Sequence, residues 1–95
     1  MSTFSEVRAK HLPTLDVYVP VVARVHGGTH PEFHDVKAAY DRIAGKLADS
    51  ADADLAEDFA ELRRITSDYT VPGDVCESYE AVYQMLSELD AASQA

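Results

Sequence analysis

Val21-Val22-Ala23-Arg24-Val25-His26-Gly27-Gly28-Thr29-His30-Pro31-Glu32 is the stretch on which the fold of this chain turns. An apolar run with helical spacing stops there at a Gly-Gly pair. A second helix then opens on a Thr-x-x-Glu capping box with a proline inside its first turn. Gly27 is the expected left-handed C-cap of the first helix. Thr29 is the expected N-cap of the second, with Glu32 reaching back to it. Three of the four histidines, His26, His30 and His34, lie in this corner.

Upstream of the corner, positions 12, 15, 19, 22 and 26 follow a 3-4-3-4 spacing, and 18, 21 and 25 widen the stripe. Pro20 removes the amide that would bond the Asp16 carbonyl, which predicts a kink or break. Val17–Val22 also reads as a strand by its β-branching, with helix the favoured reading. Residues 1–11 read as a fraying arm or an extra helical turn. Downstream, Phe33, Val36, Tyr40, Ile43 and Leu47 mark one face over four turns. Leu55, Phe59, Leu62 and Thr66 mark a third helix, whose acids at the start and arginines at the end suit the helix dipole. Val71-Pro72-Gly73 is a stop. Asp74 with Glu77 reads as a capping box for a fourth helix, with Val75, Tyr79, Val82, Leu86 and Leu89 on its inner face. The expectation is one all-α domain over 1–95, an antiparallel up-down four-helix bundle with helices near 13–26, 31–48, 53–67 and 74–91.

Composition narrows the function classes. Residues 1–47 carry six Lys/Arg against five Asp/Glu, residues 48–95 two against twelve, together making the net charge of −9. An acidic half argues against nucleic acid as a partner, since phosphate binding needs clustered Lys and Arg. It leaves a basic protein partner open. No apolar run approaches the ~20 residues that cross a bilayer. The first residues lack the basic and apolar regions of a signal peptide. A single cysteine, Cys76, forms no intramolecular disulfide and suits a reducing compartment, so the expected location is cytoplasmic.

His26, His30 and His34 with Glu32 are the candidate metal ligands, because neutral imidazoles suit iron or zinc. The alternative is structural: His26 ends the first helix, His30 packs at the corner and His34 is solvated. Cys76 is the candidate redox residue, with gap-filling as its alternative. No acid or histidine accompanies it at nucleophile–base spacing in the sequence, so no catalytic residue is assigned. The acidic run Asp49, Asp52, Asp54, Glu57, Asp58 and Glu61 lacks the glycine and ligand pattern of a calcium loop and reads as a solvated face with helix caps.

Two stretches resemble the repair-of-iron-centres (RIC) proteins, a hemerythrin-like di-iron family implicated in iron–sulfur cluster repair. One is Leu12-Pro13 with Val22-Ala23-Arg24-Val25-His26-Gly27 and His30-Pro31-Glu32. The other is Leu62-Arg63-Arg64-Ile65-Thr66-Ser67-Asp68-Tyr69-Thr70, then Pro72, Cys76, Tyr83 and Leu89. The resemblance implies a hemerythrin-like bundle. It also implies six iron ligands, at positions this chain fills differently. The first falls near Ser5. Two fall just past Ala39–Leu47, where the chain enters the acidic link 48–54. One falls near Asp52 or Asp54, and two fall in the region of Ala91–Ala95. No histidine follows His34. His26 lies about 21 residues from the first of these positions, ~31 Å along a straight helix, and so cannot complete the same centre.

The resemblance therefore implies a shortened relative that keeps the far half of the bundle, with its corners and core, and loses the iron-binding half with its di-iron ligands. The leading expectation is a non-enzymatic interaction or regulatory module with no cofactor, acting through a homodimer or a protein partner. A homodimer would stack two bundles through their uncovered apolar ends. The alternative is an iron- or zinc-binding protein using the histidine corner, linked to cluster repair or to nitrosative or oxidative stress.

Overall fold

A computed structural model describes residues 3–94. Four helices follow in order, α1 (Phe4–His26), α2 (Glu32–Asp49), α3 (Ala56–Ile65) and α4 (Glu77–Gln94), and no strand occurs among the described residues. The chain is an all-α four-helix bundle. α1 lies between α2 and α4, and α3 packs on α2. His11 meets Glu88 at one level of the α1–α4 pair and His26 meets Cys76 at another, so these two helices run antiparallel.

α1 begins nine residues before the expected 13 and runs unbroken through both Pro13 and Pro20. Its start is a complete capping box. The Thr3 hydroxyl accepts the Glu6 amide at 3.2 Å, and the Glu6 carboxylate accepts the Thr3 amide at 3.3 Å. Both prolines sit on the solvent side, where water can serve the Ala9 and Asp16 carbonyls they leave without amide donors. The strand alternative for 17–22 does not form.

The inner face is largely as the spacing indicates. Leu15, Val19 and Val22 from α1, Phe33, Val36, Tyr40, Ile43 and Leu47 from α2, Phe59 and Leu62 from α3, and Tyr79, Val82, Tyr83, Leu86 and Leu89 from α4 form one core. The widened stripe on α1 is a correction. Tyr18, Val21 and Val25 face outward, 37%, 39% and 64% exposed, together with Val17 at 59%. They flank Leu15, Val19 and Val22 around the helix, on an arc that the other helices leave uncovered.

The corner differs from expectation in its chemistry. Gly27 is right-handed, with φ −60°, and no described glycine has positive φ. Glycine is required there for space, because a Cβ would run into the His34 ring and the Ala23 carbonyl. Thr29 does not cap α2. Its hydroxyl donates to the His26 carbonyl at 3.3 Å, and Pro31 stands at the N-cap with no side-chain bond. Glu32 turns instead to His30.

α3 is shorter than the expected 53–67. The Thr66 hydroxyl donates to the Leu62 carbonyl and accepts the Tyr69 amide, and the Asp68 amide reaches back to the Arg63 carbonyl. Ser67, Asp68 and Tyr69 then run consecutively at φ 52°, 60° and 62°, a left-handed turn built without glycine. Asp58, expected on a solvated face, is 4% exposed. Lys46 and Arg42 donate to its carboxylate at 2.6 Å and 3.3 Å, pinning α3 to α2.

Candidate functional site

The chemistry-bearing side chains gather where the α1–α2 corner meets the α3–α4 link. Tyr79, on the first turns of α4 and fully buried, is the centre. The His26 ring meets it edge-on at 5.5 Å and the His30 ring at 5.6 Å. Phe33 and Tyr83 pack on it at 4.9 Å each. The Tyr79 and Tyr83 hydroxyls hydrogen-bond at 3.1 Å. Burial pushes both phenols above their ordinary values, Tyr79 further through its bond to Tyr83. Both are therefore neutral packing groups at physiological pH.

His26, the last residue of α1, places Nε2 3.1 Å from the Sγ of Cys76. Cys76 is exposed and sits just before α4, where its carbonyl takes the Glu80 amide. The pair brings a thiol and a base within proton-exchange distance. Among the described residues no carboxylate hydrogen-bonds the His26 ring, so the third member of a nucleophile–base–orienter set is missing.

His30 is held on both sides. Its Nδ1 lies 2.9 Å from the Glu32 carboxylate, and its Nε2 lies 3.1 Å from both oxygens of Asp74. A neutral imidazole has one donor and one acceptor, and an ionised carboxylate only accepts. Two such contacts at once call for the imidazolium. The hydrogen bond to Glu32 raises the His30 pKa above its ordinary value, burial opposes that shift, and Asp74 adds to it. Asp74 thus binds His30 rather than standing as the side-chain cap expected for α4.

The expected metal set does not converge. His26 is turned to Cys76, His30 lies between two carboxylates, and His34 is on the surface over Gly27. Among the described residues no group of three or more His, Cys, Asp or Glu side chains is placed to hold a metal ion. Asp74 and Tyr79 are the site members the sequence reading did not assign. The signal for Asp74 was its place beside Pro72-Gly73, in a link short enough to return to the corner.

The other end of the bundle holds an open cavity of about 770 Å³ between the first turn of α1, the 51–56 link, α3 and the end of α4, with Phe4, Leu55 and Phe59 among its lining. Asp90 stands at its wall, 3% exposed. It accepts Arg63 with both oxygens at 2.9 Å and 3.1 Å, Tyr69 at 2.8 Å and Gln94 at 2.6 Å. Burial, then the bond to Asp90, pushes the Tyr69 phenol well above its ordinary value.

No protein-family model matches the chain, and no solved structure matches it. No described helix is long and apolar enough to cross a membrane.

Proposed function

We propose that this protein is a non-enzymatic helical interaction module whose α1 outer face docks an amphipathic helix of a partner protein. The observation that carries the reading is the exposure of Val17, Tyr18, Val21 and Val25 together on that face. Three valines four residues apart, with a tyrosine beside them, make the apolar seam that helix-in-groove recognition uses. The neighbouring helix α4 presents Glu77, Glu80 and Glu88 outward, so a partner helix with a basic edge complements the rim.

A second copy fits less well than such a partner. Two copies joined through antiparallel α1 seams about a two-fold axis place both acidic α4 ridges on the same side of the contact. Each copy also carries −9. The apolar seam lies on the flank of the bundle rather than at its end, which favours side-on docking over the end-to-end stacking expected from a truncated bundle. In this reading the chain is a relative of the iron-centre repair proteins that has exchanged iron chemistry for binding.

The test uses a labelled helical peptide with leucines on one face and lysines along one edge, followed by fluorescence anisotropy. Binding that weakens with salt is expected. Val21→Asp should weaken it about tenfold or more, since burying an unpaired charge costs well over ~1.4 kcal/mol. Val21 is exposed, so the helical circular dichroism of the variant should be unchanged. Equal binding by the variant, or by a peptide with glutamates on that edge, overturns the proposal. Light scattering should give a monomer, and a dimer dissolved by Val21→Asp would assign the seam to a second copy. Stoichiometric iron or zinc in natively purified protein would favour the metal-binding alternative.

A further inference from the structure

We propose that His30, clasped between Glu32 and Asp74, is a proton-operated latch that fastens the 70–76 link to the α1–α2 corner and releases it when the ring becomes neutral. The inference goes beyond the docking reading and stands without it.

The latch follows from donor and acceptor counting. With both ring nitrogens protonated, His30 donates to Glu32 from Nδ1 and to Asp74 from Nε2. Loss of one proton leaves a ring lone pair facing a carboxylate, and that contact becomes repulsive. The two carboxylates are unequal. Glu32 is two residues from His30 on the same corner, with its side chain 38% exposed, whereas Asp74 is 44 residues away and its side chain is 71% exposed. Water readily replaces His30 as the partner of Asp74. The neutral ring therefore keeps the Nδ1 proton on Glu32, and Asp74 departs.

The link depends on this contact for its closure. The Thr70 amide bonds the Thr66 carbonyl, and the Cys76 carbonyl takes the Glu80 amide. Between them, residues 71–75 make none of the backbone hydrogen bonds that close the molecule's loops, and they are held by side chains. Val71 and Val75 pack partly on the core, Asp74 holds His30, and the neighbouring Cys76 holds His26.

The groups facing His30 come from each element packed on it. Glu32 belongs to the first turn of α2, Asp74 to the link, and Tyr79 to α4. His26 of α1 lies on the same Tyr79 ring, with Cys76 beyond it. Neither Lys nor Arg is among them. Because the folded state holds the His30 proton more tightly than the unfolded chain, the latch is fully closed below the ordinary histidine value of about 6.5. It opens as pH rises through the higher folded value.

The experiment measures the whole protein by histidine-ring ¹H–¹⁵N correlation spectra and by ¹⁵N order parameters of backbone amides 71 and 73–76. Between about pH 5.5 and about pH 8.5, His30 should pass from the doubly protonated ring to the Nδ1–H tautomer. Over the same interval the order parameters of these amides should fall from about 0.85, the value of rigid backbone, to below about 0.6. His30→Gln and Asp74→Ala should each abolish the step, with the link mobile throughout. Cys76→Ser should retain it, which separates ring titration from thiol ionisation. Order parameters that do not change with pH in the wild-type chain overturn the latch, as does a step that survives in Asp74→Ala. A His30 ring already neutral at the acid end overturns it too.

Discussion

Asp74 and Asp90 stand at opposite ends of α4, and each ties that end of the helix to another segment. Asp90 is buried and takes its main bonds from Arg63, whose charge does not titrate in the accessible range, with Tyr69 and Gln94 completing its acceptor sites. Asp74 is exposed and takes its bond from a histidine. The same carboxylate chemistry thus gives a permanent tie at one end and a conditional tie at the other. Burial and the choice of cation make the difference.

The sharpest way to break this contrast is Asp90→Ala. It leaves the Arg63 guanidinium and the Tyr69 hydroxyl without their partner, and the expected loss is about 3 kcal/mol by urea denaturation, removing one member of a buried ion pair being the cause. That loss should be the same at pH 6 and pH 8.5. At the other end Gly27→Ala should cost about 1–3 kcal/mol, because the new methyl meets the His34 ring and the Ala23 carbonyl. His34→Ala should recover part of that loss, which a double-mutant cycle reads directly.

Tyr69→Phe removes a single hydroxyl bond to Asp90 and should cost about 1 kcal/mol, again independent of pH over the neutral range. Asp74→Asn should have the smallest effect and the one that depends on pH. It should lower the melting temperature slightly below the ordinary histidine value, with the difference vanishing as His30 becomes neutral. A pH-independent effect of Asp74→Asn, or a pH-dependent effect of Asp90→Ala, would erase the distinction between the two ties.

The helical architecture was legible because its signals are periodic. Phe33, Val36, Tyr40, Ile43 and Leu47 repeat at helical spacing, and all five are buried. The boundaries were legible where a cap is local, and Thr3-x-x-Glu6 is such a signal that the reading of residues 1–11 left unused. The two capping boxes expected at Thr29 and Asp74 were diverted. In Thr29-x-x-Glu32 the carboxylate found His30, and in Asp74-x-x-Glu77 the aspartate also found His30. A local motif states which bonds a segment is able to make. An ionisable partner brought in from 44 residues away competed successfully for the same oxygen.

The outer face of α1 was misread for a related reason. Valines and a tyrosine at 17, 18, 21 and 25 carry no mark that separates inner from outer on a helix apolar over most of its circumference. Only the position of α2 and α4 around it decides which arc is covered. The candidate site was half legible: the histidines and Cys76 could be named, but their pairing depends on the return of the α3–α4 link, which no spacing rule encodes.

The placement of α1 between α2 and α4 also has a consequence for biosynthesis. Its more extensive packing is with α4, the most distant helix along the chain. At about 5–20 residues per second on the ribosome, α1 is made several seconds before the helix that covers Leu15, Val19 and Val22. Throughout that interval it displays its outer apolar face and the part of its inner face that α2 does not cover. The nascent α1 is therefore most exposed to chaperones and to misassociation before α4 emerges, and α4 sets the moment at which α1 becomes safe.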